Sequence, residues 1–116
     1  MKKFILLLSI CYTIINFDII KAQDIWIDHW NDENIDVYVI NDTIQTGNDN
    51  GRWIRVVTKS IRDGKLIETN QWSFSNFRNY GEWRYRTDRM EGHTNRVIEN
   101  GSSGKILKYC IEYLGI

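Results

Sequence analysis

The chain has no proline and only two cysteines. Without proline, no strand or helix is forced to break for want of a backbone N–H, and no Pro-rich linker divides the chain. One cysteine, Cys11, lies in the N-terminal apolar run and the other is Cys110, so a chain that sheds its first residues keeps one thiol and forms no internal disulfide. A third absence is local. Between Asp24 and Asn50 there is no lysine or arginine, yet this stretch holds Asp24, Asp28, Asp32, Glu33, Asp36, Asp42 and Asp49. From Gly51 to Arg96 the balance reverses, with ten basic and five acidic residues. The net charge of zero hides this division. Two halves of opposite sign either face each other and cancel, or leave a dipolar surface that orients a charged partner. Repeats and long low-complexity tracts are also missing, which excludes solenoid and linker-rich architectures.

The N-terminus has the order of regions of a secretory signal peptide. Lys2 and Lys3 give a positive start, Phe4 to Ile15 is mostly apolar, and Asn16 to Ala22 is more polar and ends in a small residue. The apolar run falls short of the roughly 20 residues that span a bilayer as a helix. Residues 1–22 are therefore expected to be a signal peptide, removed after Ala22, with 23–116 a single exported α+β domain. The expected destinations are the medium, the periplasm or the cell surface, with no transmembrane span in the mature chain. A retained N-terminal anchor is the alternative. Lipidation at Cys11 is disfavoured, because Ile10 stands where a small residue should precede the modified cysteine.

The remaining sequence alternates by two over several short stretches. Asp24 to Trp30 places Ile25 and Ile27 on one face and Trp26, Asp28 and Trp30 on the other. Asn31 to Asn34 is a turn. Ile35 to Ile40 sends Ile35, Val37 and Val39 to one face, in β-branched residues that suit a pleated surface. Asn41 to Gly51 is polar and ends in the turn signal GNDNG. In Trp53 to Ser60, Ile54, Val56 and Thr58 should face the core, and Trp53, Arg55, Val57 and Lys59 the other side. Arg62 to Lys65 (RDGK) has the Asp-Gly signature of a tight hairpin. Leu66 to Phe74, Trp83 to Asp88 and Asn95 to Glu99 complete the predicted strands. From Ser103 to Leu114 the apolar positions change to a helical stripe, Ile106, Leu107, Cys110, Ile111 and Leu114. Ser102 or Ser103 is the expected N-cap and Gly115 the expected C-terminal stop. The fold expected is an antiparallel β-meander of five or six strands with one C-terminal helix packed on a face. Its core should hold Val37, Val39, Ile54, Val56, Ile106, Leu107, Cys110, Ile111 and Leu114.

Four segments carry a resemblance to a family. Tyr38-Val39-Ile40-Asn41-Asp42-Thr43-Ile44, Arg52 to Lys59, Arg84 to Asp88, and Gly101-Ser102 running into a helix that reaches Cys110 resemble motifs of the small secreted surface-adhesin protein E type. The resemblance implies an antiparallel sheet with a helix, and attachment to matrix proteins or other macromolecules. It carries over no catalytic site. Arg89 stands where the first family cysteine would be, so the disulfide that the resemblance implies cannot form here, and no proline precedes Gly101-Ser102.

Aromatic and cationic residues are densest from Trp72 to Arg89 (WSFSNFRNYGEWRYRTDR). Trp72, Arg78, Tyr80, Trp83, Arg84, Tyr85, Arg86 and Arg89 are the candidate binding residues, since Trp, Tyr and Arg dominate protein-binding hot spots. Alternation within Trp83–Asp88 would instead send Trp83 and Tyr85 to the core and leave Arg84 and Arg86 as a solvated face. The partner expected is a protein or another extracellular macromolecule rather than nucleic acid. The other function class is a small secreted nuclease, with His93 and Glu82 as acid and base and Arg84 and Arg86 holding a phosphate. His29 beside Asp28, Asp32 and Glu33 lacks the converging ligands of a metal site, and GNDNG lacks the carboxylates of a calcium loop. No metal, other cofactor or catalytic residue is assigned. Asn41-Asp42-Thr43 and Asn100-Gly101-Ser102 fit the glycosylation sequon.

Overall fold

A computed structural model describes residues 24–79 and 81–116; the leader expected over 1–22 lies outside them, as does Tyr80. The frame is one long hairpin. Strand β4 (Gly51–Arg62) pairs antiparallel with β5 (Lys65–Phe77) along nearly its whole length. The turn between them is the one that RDGK signals: Asp63 and Gly64 both have positive φ, 51° and 74°, as a two-residue turn matched to the strands' own twist requires.

Other strands add to both sides. β1 (Asp24–Trp30) pairs with β2 (Ile35–Ile40), and β2 with the second half of β4. β3 (Gln45–Asn48) pairs with the first half of β4, so β2 and β3 lie end to end along one edge. A 3-10 turn, Asn41–Thr43, joins them. The Thr43 hydroxyl donates to the Ile40 carbonyl at 2.6 Å and accepts from the Val57 amide at 2.9 Å, supplying the partner that the gap would deny Val57. Beyond β5 come β6 (Arg84–Thr87) and the two-residue β7 (Asn95–Arg96). All pairings are antiparallel. The sheet has seven strands where five or six were expected, and the addition is β3, drawn from the polar stretch before Gly51.

Helix α1 (Ser102–Leu114) covers one face. Its Ile106, Leu107 and Cys110 are buried against Val39, Ile54, Val56, Trp72 and Phe74, with Ile111 and Leu114 half-buried at the margin. Val37 is buried as well. Each fully buried aliphatic or aromatic side chain contributes about 1.5–3 kcal/mol, so this layer is the main source of stability. Burial pushes the Cys110 thiol up to about 12. The helix ends as expected, with Gly115 in the left-handed region and its amide bonded to the Ile111 and Glu112 carbonyls.

Two expectations are corrected. Gly101, not a serine, is the N-cap residue, and no side chain caps the helix. Both serines look elsewhere. Ser103 accepts from the Ile98 amide at 2.9 Å. Ser102 donates to Asp28 at 2.6 Å and accepts from the Trp30 indole at 2.7 Å. Strict alternation in β1 also fails. A bulge between Trp26 and Asp28 turns Asp28 and Trp30 toward the helix and leaves Trp26 on the opposite face, since one extra residue resets the period of two.

Asp28 is consequently the anchor between first strand and helix. Besides Ser102, it accepts from Lys105 Nζ and from the His29 amide, each at 2.9 Å. Burial pushes its carboxyl up, but the bonds from Ser102, Lys105 and His29 outweigh this and hold it below the ordinary aspartate value. Among the described residues no helix is long and apolar enough to cross a membrane.

Candidate functional site

One helix cannot cover both faces of a sheet. Among the described residues no element covers the face away from α1, and the register shows what it displays. Arg55, Ser73 and Arg86 are successive cross-strand neighbours on β4, β5 and β6. In the next row stand Gly47, Trp53, Ser75 and Arg84. The two serines are small, so β5 forms the floor of a trough between taller walls. Its two clefts, of about 360 and 380 Å³, meet at the Arg55–Ser73–Arg86 row.

The walls are preorganised. The indole of Trp53 lies flat over Gly47, where a Cβ would stand only 2.5–2.6 Å from the ring atoms. Its Nε1 donates to Asp49 Oδ2 at 3.4 Å. The Arg55 guanidinium sits 4.9 Å above the same ring, and that of Arg78 lies 5.0 Å from the Phe77 ring, an arrangement that holds a cation over an aromatic quadrupole. Among the described residues, ion pairs engage Arg84, Arg89, Arg96, Lys59 and Lys105. None engages Arg55 or Arg86, and both are exposed.

A second group lies further along the same face, on β1 and β2. Trp26, 53 % exposed, donates its indole N–H to Asp36 at 3.0 Å, and His29 Nδ1 bonds the same carboxylate oxygen at 2.9 Å. The bonds from Trp26 and His29 hold the Asp36 carboxyl below its ordinary value. Trp26 stands opposite Tyr38, which stands opposite Lys59.

The residues singled out from the sequence divide between environments. Trp72 is buried on the helix side, its indole donating to Thr58 at 2.9 Å. Tyr85 packs against it with ring centroids 5.4 Å apart, and Trp83 packs on the same core. Arg86 is on the open face, and no ion pair engages it among the described residues. Arg84 is there too, but its guanidinium donates to Thr94 Oγ1 and to the Thr94 carbonyl, both at 2.8 Å. Arg89 pairs with Glu68 at 3.1 Å and lines a different cleft with Trp30 and Trp72. Arg78 is exposed in the turn after β5, and Tyr80 is outside the described residues. Trp26, Trp53 and Arg55 were not among those singled out, although alternation in Trp53–Ser60 already placed Trp53 and Arg55 opposite the core.

The groups named for hydrolysis are differently placed. Glu82 is engaged by Arg96 at 2.8 Å and faces Arg84 at 3.8 Å, while His93 is exposed between β6 and β7. The described residues contain no cluster of three or more metal-ligating side chains. A cleft of about 820 Å³ opens between α1 and the β6–β7 edge and is lined by Trp83, Val97, Leu107 and Ile111, with charges of both signs at its rim. No protein-family model, curated protein or solved structure matches the chain.

Proposed function

We propose that the protein is a non-enzymatic binding protein of adhesin-like character, exported, that contacts an extracellular macromolecule through the uncovered face of its sheet. The observation that supports this is the asymmetry of the sheet. One face is closed by α1, and the other displays Trp26, Arg55 and Arg86 at its surface, with Trp53 half-buried beneath the Arg55 guanidinium. An exposed surface that mixes Trp and Arg is the composition of a recognition surface. The resemblance in Tyr38–Ile44, Arg52–Lys59 and Arg84–Asp88 adds the adhesin character. Compared with the stretch Trp72 to Arg89, the contact surface keeps Arg86 and gains residues of β1 and β4.

The test uses the inertness of the buried Cys110. Ser75→Cys on the open face and Lys108→Cys on the helix each carry a single added thiol, to which a bulky polyethylene glycol is coupled. Retention of the purified protein is then measured on an array of extracellular matrix proteins, polysaccharides and nucleic acids. The Ser75 conjugate is expected to lose retention and the Lys108 conjugate to keep it. The reverse outcome would move function to the cleft beside the helix and discard this reading.

A further inference from the structure

The Arg55–Ser73–Arg86 row specifies more than a general binding face. Two guanidiniums, without a carboxylate partner among the described residues, rise from β4 and β6 on either side of a serine hydroxyl. Their Cα atoms are two strand spacings apart, roughly 9–10 Å, so both long side chains can converge on one group above Ser73. Guanidiniums recognise oxyanions through paired N–H donors, and the serine offers a third donor from below.

The surroundings select the carrier of that oxyanion. Carboxylates border the trough on both sides of the row, Asp49 at the Trp53 end and Asp88 at the Gln71 end. They repel a polymer with an anion on every unit, but accept hydrogen bonds from hydroxyl groups. The aromatic rings at the trough, Trp53 and Phe77, are already capped by Arg55 and Arg78. The Arg55–Ser73–Arg86 row itself holds no ring, so a base bound there has none to stack on, and stacking is what single-stranded nucleic acid needs besides charge. β5 is hydrogen-bonded on both edges where the trough lies, so an acidic peptide cannot add to it as a strand.

We propose that this trough binds a sparsely sulfated glycan, with one sulfate held by Arg55, Arg86 and Ser73 and neutral sugar hydroxyls donating to Asp49 and Asp88. A sulfate ester presents three terminal oxygens to the three donors, where a carboxylate presents two. The assignment rests on the open-face reading given above and names its ligand class.

The test is calorimetric titration of the purified protein with a galactan oligosaccharide carrying one sulfate per disaccharide. Its desulfated form, a hyaluronan oligosaccharide bearing carboxylates only, and single-stranded DNA of similar length are titrated in parallel. The sulfated oligomer is expected to bind at least tenfold more tightly than the other three. Arg55→Ala/Arg86→Ala should weaken it at least tenfold with an unchanged circular dichroism spectrum, Arg55→Lys/Arg86→Lys should weaken it by less, and Lys65→Ala/Lys108→Ala should leave it within twofold. Equal binding of the desulfated or hyaluronan oligomer, tighter binding of DNA, no binding of the sulfated oligomer, or an unaffected Arg55→Ala/Arg86→Ala variant would each overturn the assignment. If the sulfated oligomer fails while the Ser75 conjugate still loses retention on the array, the open face stands and only its ligand changes.

Discussion

The two faces of this sheet are made from the same strands, and they differ in what each residue is bound to. On the helix side, Trp72, Phe74 and Tyr85 stack with one another at centroid distances of 5.4–6.4 Å and close over Ile106 and Cys110. On the open side, Trp53 and Phe77 are paired instead with guanidiniums, and Phe77 is 58 % exposed. Aromatic residues thus serve two purposes within one strand pair. Where a ring meets another ring and an aliphatic layer, it holds the fold together. Where it meets a cation and water, it fixes the cation in place and adds little to stability.

That contrast can be broken most severely from the helix side. Phe74→Ala leaves a cavity under α1 and is expected to cost about 3–5 kcal/mol, read as a large fall in the denaturation midpoint. The open-face pair Arg55→Ala/Arg86→Ala should shift the same midpoint by no more than about 0.5 kcal/mol per site. A comparable loss from both would erase the distinction between the faces.

The next effect concerns the attachment of α1. Asp28→Asn keeps the shape but removes the charge that Ser102, Lys105 and the His29 amide converge on, at a cost of about 2 kcal/mol. The folded carboxyl lies below its ordinary value, so the unfolded chain takes up this proton first as the solution is acidified. The native protein therefore holds its advantage over the variant above the unfolded value of about 3.9 and loses it as pH falls through the lower folded one. Urea denaturation of both proteins from pH 7 down to pH 3 checks this. A gap that stays constant would show that the carboxylate is not the anchor.

An effect smaller than that of Asp28→Asn sharpens the open side. Gly47→Ala places a methyl group where the Trp53 ring lies, and the indole must leave its place over this glycine and change its contact with Arg55. The expected cost is about 1 kcal/mol, with a red-shifted, brighter or more quenchable tryptophan emission. An unchanged spectrum would mean that the ring does not rest on this glycine.

Much of this architecture was legible because it is local. The alternation in Ile35–Ile40 and Trp53–Ser60, the Asp-Gly turn and the stripe from Ile106 to Leu114 each depend on a few neighbouring residues. β3 was not legible, since Gln45-Thr46-Gly47-Asn48 carries no apolar alternation and is a strand only because β4 offers it an edge. The bulge in β1 and the diversion of Ser102 to Asp28 are likewise tertiary choices that no short window displays. The site divides in the same way. Alternation separated Arg84 and Arg86 from Trp83 and Tyr85, but density along the chain drew the eye to one stretch. Arg55, Ser73 and Arg86 become neighbours only when three strands are laid side by side.

The clasp of Asp28 and Trp30 on Ser102 also carries a lesson about order of assembly. It joins the first described strand to a helix more than 70 residues further along the chain, so the sheet has one greasy side bare until α1 is in place. The sheet's inner layer is therefore closed only when α1 docks, and until then the slab made by Ile54, Val56 and Phe74 is open to any hydrophobic surface it meets.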